Sequence, residues 1–329
     1  MNGHLRLKAD LLASNMQMLK GKFVWQSILL KRLAALLYAA RGSRINMRAL
    51  QESYDLIKED TSWTSYFRGN SMISVATLLS LHENRRRQLA NTLDVYERMK
   101  KSKFWSSDYL VIAAYQIAEG TSEEKYTETI RRTKGFYDGI KAQHRFITGQ
   151  DDYIFSALLG LSNIEIEDGL KQMEILYQAL KPHFRSFGAV QTLSQVLTLG
   201  GKDADAVNRV LCLSDAFRQR GMSMNREYTL PSLGVLSLLP TDDNTLVDEV
   251  IEVYEMLRTK KGFGPWSVSK QELLLLSSAL VSYEYADEVG DCVVASALST
   301  SLTNIIVAQQ TAVAVMVATS SAAASSDAT

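Results

Sequence analysis

The sequence predicts an all-α protein, an α-solenoid of six to seven helix-hairpin repeats of roughly 40 residues each. Three observations predict it: an aromatic–base echo at nearly even intervals, an apolar run ahead of each echo, and a scarcity of proline. The echo is an aromatic residue, two variable positions, a large apolar residue and a base. It reads Tyr54-Asp-Leu-Ile-Lys58, Tyr96-Glu-Arg-Met-Lys100, Tyr137-Asp-Gly-Ile-Lys141, Tyr177-Gln-Ala-Leu-Lys181 and Tyr254-Glu-Met-Leu-Arg258, with a degenerate copy at Ala216-Phe-Arg-Gln-Arg220. The spacings are 42, 41, 40, 39 and 38 residues. Even self-similarity of this length is the mark of a repeat architecture.

The apolar runs are Leu33–Ala39, Val75–Leu81, Val111–Ile117, Phe155–Leu161, Leu193–Leu199 and Leu233–Leu239, with a seventh, Leu273–Val281, opening a unit that does not complete the pattern. Each is apolar nearly all round, as a helix buried on most faces must be. Polar breaks follow them, such as Asn84–Arg87, Gly120–Glu124, Gly200–Asp205 and Pro240–Asn244. The helix after each break is amphipathic: Leu246, Val250, Val253 and Leu257 form one stripe of a 3.6-residue period. Acids open it and bases close it, which complements the helix dipole. Each unit is thus read as a buried helix, a turn, an amphipathic helix and a loop. Such a unit cannot cover its own apolar face, so it must stack on neighbours. The four prolines in 329 residues suit long helices. A closed α/α toroid is the structural rival to an open stack.

Composition excludes some functions. Lys plus Arg and Asp plus Glu both number 36, so no basic excess signals a nucleic-acid partner. The two cysteines, Cys212 and Cys292, make neither a disulfide framework nor a metal site and read as buried thiols in a reducing compartment. The first 23 residues carry charges throughout and do not form a secretory signal, so cytoplasmic residence is expected.

Three segments are expected: a helical-hairpin array over 1–290, an apolar C-terminal helix over 291–319 and a flexible Ser/Ala tail over 320–329. From Cys292 to Ser326 no residue is charged. That helix is read as a cap on the last repeat, a self-association element giving a homo-oligomer, or a membrane-inserting tail. Gln309, Gln310 and Asn304 oppose the last, so a membrane partner is not expected.

Chemistry is sparse. His82-Glu83 starts like a zinc-protease motif but lacks the second histidine, and no phosphate loop, dinucleotide fingerprint or nucleophile elbow occurs. No catalytic residue, metal or cofactor is expected. The acid–aromatic pairs Asp108-Tyr109, Asp152-Tyr153 and Glu227-Tyr228 open buried helices, either as first-turn acids beside packing rings or as a ladder along one edge open to a peptide. Asp151-Asp152 reads as a solvated cap pair. Arg68, in the loop Ser65-Tyr66-Phe67-Arg68-Gly69-Asn70, sits in a packed turn or serves as a carboxylate anchor. The candidate binding residues are therefore Arg68, Tyr109, Asp152, Tyr153 and Tyr228.

Leu33-Ala-Ala-Leu-Leu-Tyr38, Phe67-Arg68-Gly69, Asp151-Asp-Tyr153, Lys261-Gly-Phe-Gly264 and Asn304-Ile-Ile-Val-Ala-Gln-Gln-Thr-Ala312 resemble a bacterial family of unknown function, DUF4003. The resemblance spans nearly the whole chain and implies a bacterial cytoplasmic protein with no assigned activity. The expected function is a non-enzymatic scaffold that binds a protein or peptide. The alternatives are a toroid enzyme with carboxylates such as Asp108, Asp152 and Glu227 in a central cavity, and an adaptor tethered to a membrane by its C-terminal segment.

Overall fold

A computed structural model describes residues 3–201, 204–226 and 229–285. The C-terminal segments 291–319 and 320–329, with Cys292, lie outside the described residues, as do Asp203, Glu227 and Tyr228.

Among the described residues all regular structure is helical, with fourteen α-helices and no strand. The first half of the chain forms α1 (Gly3–Leu19), α2 (Ile28–Ala40), α3 (Met47–Asp60), α4 (Met72–Ser80), α5 (Arg85–Lys101), α6 (Asp108–Gly120) and α7 (Tyr126–Gln143). The second half forms α8 (Asp152–Leu161), α9 (Ile166–Leu180), α10 (Phe187–Leu199), α11 (Ala204–Gln219), α12 (Leu230–Ser237), α13 (Asp243–Arg258) and α14 (Lys270–Glu284). Every predicted apolar run falls in or at the end of an even-numbered helix. These helices are buried almost throughout, as α2 is from Leu30 to Ala40. The odd-numbered helices from α3 onward bury one stripe: Leu246, Val250, Val253 and Leu257 of α13 are fully enclosed. Side-chain oxygens start many helices, including Asn84 accepting from the Arg87 N–H at 3.1 Å and Asp242 accepting from the Thr245 N–H at 3.0 Å.

The echo has a structural meaning. In five copies the base lies over the ring of its own tyrosine, with cation-to-centroid distances of 4.8 Å for Lys58–Tyr54, 5.5 Å for Lys100–Tyr96, 5.4 Å for Lys141–Tyr137, 5.7 Å for Lys181–Tyr177 and 5.5 Å for Arg258–Tyr254. The aliphatic stem covers the ring while the charge stays in water. In the degenerate copy the ring is Phe217, fully buried above Leu213 and Val210. It stands one residue later than Ala216, the aromatic position of the even count.

Two features differ from the sequence reading. Each amphipathic helix but α11 packs most extensively on the buried helix that follows it, and α11 packs on α12 about as much as on α13, giving the pairs α1/α2, α3/α4, α5/α6, α7/α8, α9/α10, α11/α12 and α13/α14. The pair is therefore framed one helix earlier than expected. The short polar breaks carry the chain between pairs, and the longer loops lie within them. Second, the order of contacts is cyclic. The buried helices touch in sequence, α4 and α6 being joined by the 3-10 turn Tyr66–Arg68, and α14 then packs on α2 and α1 while α13 packs on α1. An open superhelix would leave its first and last pairs apart. Here Arg32 of α2 pairs with Glu272 of α14 at 2.8 Å and donates to the carbonyls of Ser267 and Gly262 at 2.6 and 3.2 Å. Lys8–Glu284 and Lys260–Asp10 join the same two ends at 2.8 and 2.6 Å.

Cys212 is exposed rather than buried. It sits on α11 away from the stripe of Val210, Leu213 and Phe217, so its apolar neighbours in sequence are not its neighbours in space. No helix among the described residues is long and apolar enough to cross a membrane.

Candidate functional site

Alternation of helix direction puts the loops of the chain at two ends of the stack. At one end lie the loops within pairs, residues 20–27, 61–71, 102–107, 144–151, 181–186, 220–226 and 259–269. The described candidate residues taken from the sequence, Arg68, Tyr109, Asp152 and Tyr153, lie in or next to the loops of this end, but most are inside it. Tyr109 and Tyr153 are buried. The Tyr153 ring meets Phe104 and Tyr137 edge-on at 4.9 and 4.8 Å, and its hydroxyl accepts the Trp105 N–H at 3.2 Å. Burial pushes that hydroxyl up to about 12. Arg68 is half-buried and donates to the carbonyls of Lys58 and Thr61, closing the C-terminus of α3. Tyr228 is outside the described residues.

The acids are spoken for. Asp108 accepts the Ser71 N–H at 2.9 Å and so ties α6 to the start of α4. Asp152 is not a solvated cap: it is buried, and it accepts from the Gly149 N–H at 2.9 Å, Gln191 Nε2 at 2.8 Å and Gln195 Nε2 at 2.7 Å. Desolvation holds both carboxyls above the usual aspartate range, against the pull of these donors. The two carboxylates serve as knots between neighbouring pairs. No group of three or more metal-ligating side chains occurs among the described residues.

One concavity was not legible as a motif. It is a half-open pocket of about 1020 Å³ between the loops ahead of α10, α12 and α14, lined by His183, Arg185, Ser186, Asn225, Arg226 and Gln271 among others. Its floor is fixed: Gln271 Nε2 donates to the Ser223 carbonyl at 3.0 Å, Thr229 Oγ1 donates to Gln271 Oε1 at 2.9 Å, and Lys270 Nζ donates to the Gly221 carbonyl at 2.8 Å. Arg185 and Arg226 are exposed, and neither guanidinium has a partner among the described residues. No carboxylate appears among the described lining residues. The N-termini of α10 and α14 open toward the pocket through Ser186 and Ser269, adding the positive ends of their dipoles. Forked donors and hydroxyls around a concave, positively charged space suit a carboxylate-bearing ligand. In the sequence these residues are three unremarkable loops tens of residues apart, and only the surplus of bases in such loops could have drawn attention to them.

Comparison with known proteins gives a match to the family model described as "Protein of unknown function (DUF4003)", over residues 15–311. No curated protein and no solved structure matches the chain.

Proposed function

The chain belongs to the DUF4003 family, and from that premise we propose that it is a non-enzymatic scaffold, a ring of seven helical pairs that takes up an acidic segment of a partner protein at its basic end. The observation that carries this reading is the pocket of about 1020 Å³ with two guanidiniums that have no partner among the described residues and no carboxylate in its described lining. Ligand pockets commonly span about 300–1,000 Å³, so the space suits a few residues of extended peptide. The cyclic contacts favour the ring over the open solenoid. The enzyme alternative shares the ring but needs its acids free, and the hydrogen bonds of Asp108 and Asp152 count against it.

The test is fluorescence anisotropy of a labelled glutamate-rich peptide against the full chain. Binding that weakens with salt, and falls at least about tenfold in Arg185→Glu/Arg226→Glu, is expected, since each charge-assisted bond contributes roughly 1.5–3 kcal/mol. Indifference of the affinity to both substitutions would remove the pocket from consideration. Turnover of the peptide would defeat the non-enzymatic reading.

A further inference from the structure

The chain has four tryptophans, and all four stand in the loops at the basic end. Their exposures are 93% for Trp25, 83% for Trp63, 74% for Trp105 and 101% for Trp266, and Phe146 in a fifth loop reaches 97%. Tryptophan is ordinarily among the more buried side chains, so this placement calls for a cause. The loops themselves are not short of apolar anchorage. Phe67, Phe104 and Phe263 in the same segments are fully or almost fully buried, so each loop packs one aromatic and presents another. The presenting backbone is held in place. The Trp105 N–H is bonded to Tyr153, and the Ser267 carbonyl beside Trp266 is bonded to Arg32. Phe23 and Lys103, each two residues before an exposed tryptophan, adopt left-handed φ values of 47° and 66°, a conformation that costs a non-glycine residue energy.

Charge follows the same division. The described residues of the seven loops of this end include eleven bases and one acid, whereas those of the loops at the opposite end, residues 41–46, 81–84, 121–125, 162–165, 200–201 and 238–242, include three bases and five acids. Lys22, Lys103, Arg145 and Lys261 each lie within five residues of an exposed ring. Aromatic rings favour the headgroup level of a bilayer, and clustered bases are drawn to anionic lipids. A protein partner would need a separate socket for each ring around the whole perimeter, whereas a lipid surface accepts them together.

We propose that this end of the molecule docks on a bilayer surface bearing anionic lipids, with Trp25, Trp63, Trp105 and Trp266 seated among the headgroups. Such attachment needs no spanning helix, and it departs from the expectation that a membrane is no partner. It goes beyond the peptide pocket, because the rings lie outside that pocket's lining, and a bilayer across this end would compete with the peptide.

The experiment incubates the full chain with vesicles of phosphatidylcholine alone or with added phosphatidylglycerol. It reads co-sedimentation and intrinsic tryptophan emission, which here reports on the docking rings alone. Docking predicts co-sedimentation with the anionic vesicles only, a blue shift of emission with protection from a soluble quencher, and release at high salt. Trp25→Ser/Trp105→Ser/Trp266→Ser should lower the partition at least tenfold, and Lys22→Glu/Lys103→Glu/Lys261→Glu should abolish the preference for phosphatidylglycerol. Both sets change exposed side chains, and an unaltered circular dichroism melt checks that they fold. Absence of co-sedimentation, sedimentation with no change in emission, or full binding by the serine variant would each overturn the proposal. The peptide pocket stands or falls separately, on Arg185→Glu/Arg226→Glu.

Discussion

At the scale of single residues, Asp152 shows how a carboxylate can look functional and be structural. Its two oxygens accept three N–H groups inside the protein, and the two glutamines come from the next pair, 39 and 43 residues on. Asp152→Ala would leave those donors facing apolar surroundings and should cost about 3 kcal/mol in denaturant unfolding. Asp152→Asn keeps one acceptor and the volume, and Gln195, whose Oε1 has no partner in the described structure, can turn to accept from the new amide. It should cost less than alanine. The pH dependence has a definite sign. Burial raises the carboxyl above its ordinary 3.8, so the folded state holds its proton at pH values where the unfolded chain has released it. Stability from this group is present below 3.8 and is lost as pH climbs through the raised value. The advantage of the wild type over Asp152→Asn should therefore shrink from acid toward neutral pH in paired thermal melts. A widening gap would show that the charged form is the one the site prefers.

At the scale of the helix, small residues set how closely the buried helices approach their partners. A Cβ on Gly160 of α8 would stand 2.9 Å from the Thr133 N and 3.0 Å from the Thr129 carbonyl oxygen on α7. Backbone atoms cannot yield as a flexible side chain can. Gly160→Ala should destabilise by about 2 kcal/mol. Gly188, in the first turn of α10, has nothing within 4 Å of the same construction, and Gly188→Ala should be neutral or stabilise by about 0.5 kcal/mol through the unfolded state. Equal melting shifts for the two would mean that proximity is not what glycine provides at position 160. Elements of this kind were legible in advance because they follow local period: every apolar run became a buried helix, and the stripe from Leu246 to Leu257 faces inward as its spacing required. The pairing frame was not legible. A helix with one apolar stripe can be covered by the helix before it or after it, and hydrophobic period is indifferent to the choice. Cys212 failed for a related reason, since sequence neighbours on a helix point 100° apart. The candidate site suffered most. Tyr109, Asp152 and Tyr153 attracted notice by repetition, and repetition selects what every unit must bury, whereas the pocket draws on loops that have diverged from one another.

At the scale of the molecule, closure is the feature that no periodic signal contains, because it depends on residues 32 and 272 meeting after five intervening pairs. In an open array the end pairs have one neighbour each and exchange their amide hydrogens first. In a closed one they are covered on both sides, as α14 is by α12 and α13 and then by α1 and α2. Hydrogen exchange should therefore protect α2 and α14 as well as it protects α6 and α8. The Arg32–Glu272 pair offers a way to perturb this selectively, its side chains being only 4% and 17% exposed. Arg32→Met leaves the Glu272 carboxylate buried without its partner, and loss of one member of such a pair costs about 3–5 kcal/mol. Arg32→Met/Glu272→Leu should recover a good part of that loss, since an apolar pair of similar size tolerates burial better than one stranded charge. The single variant should reduce protection in the first and last pairs together, leaving the middle pairs as they were. Fraying of α14 alone, with α1 and α2 unaffected, would mean that the two ends touch without sharing their stability, and the ring would then behave as an open stack whose termini happen to be adjacent.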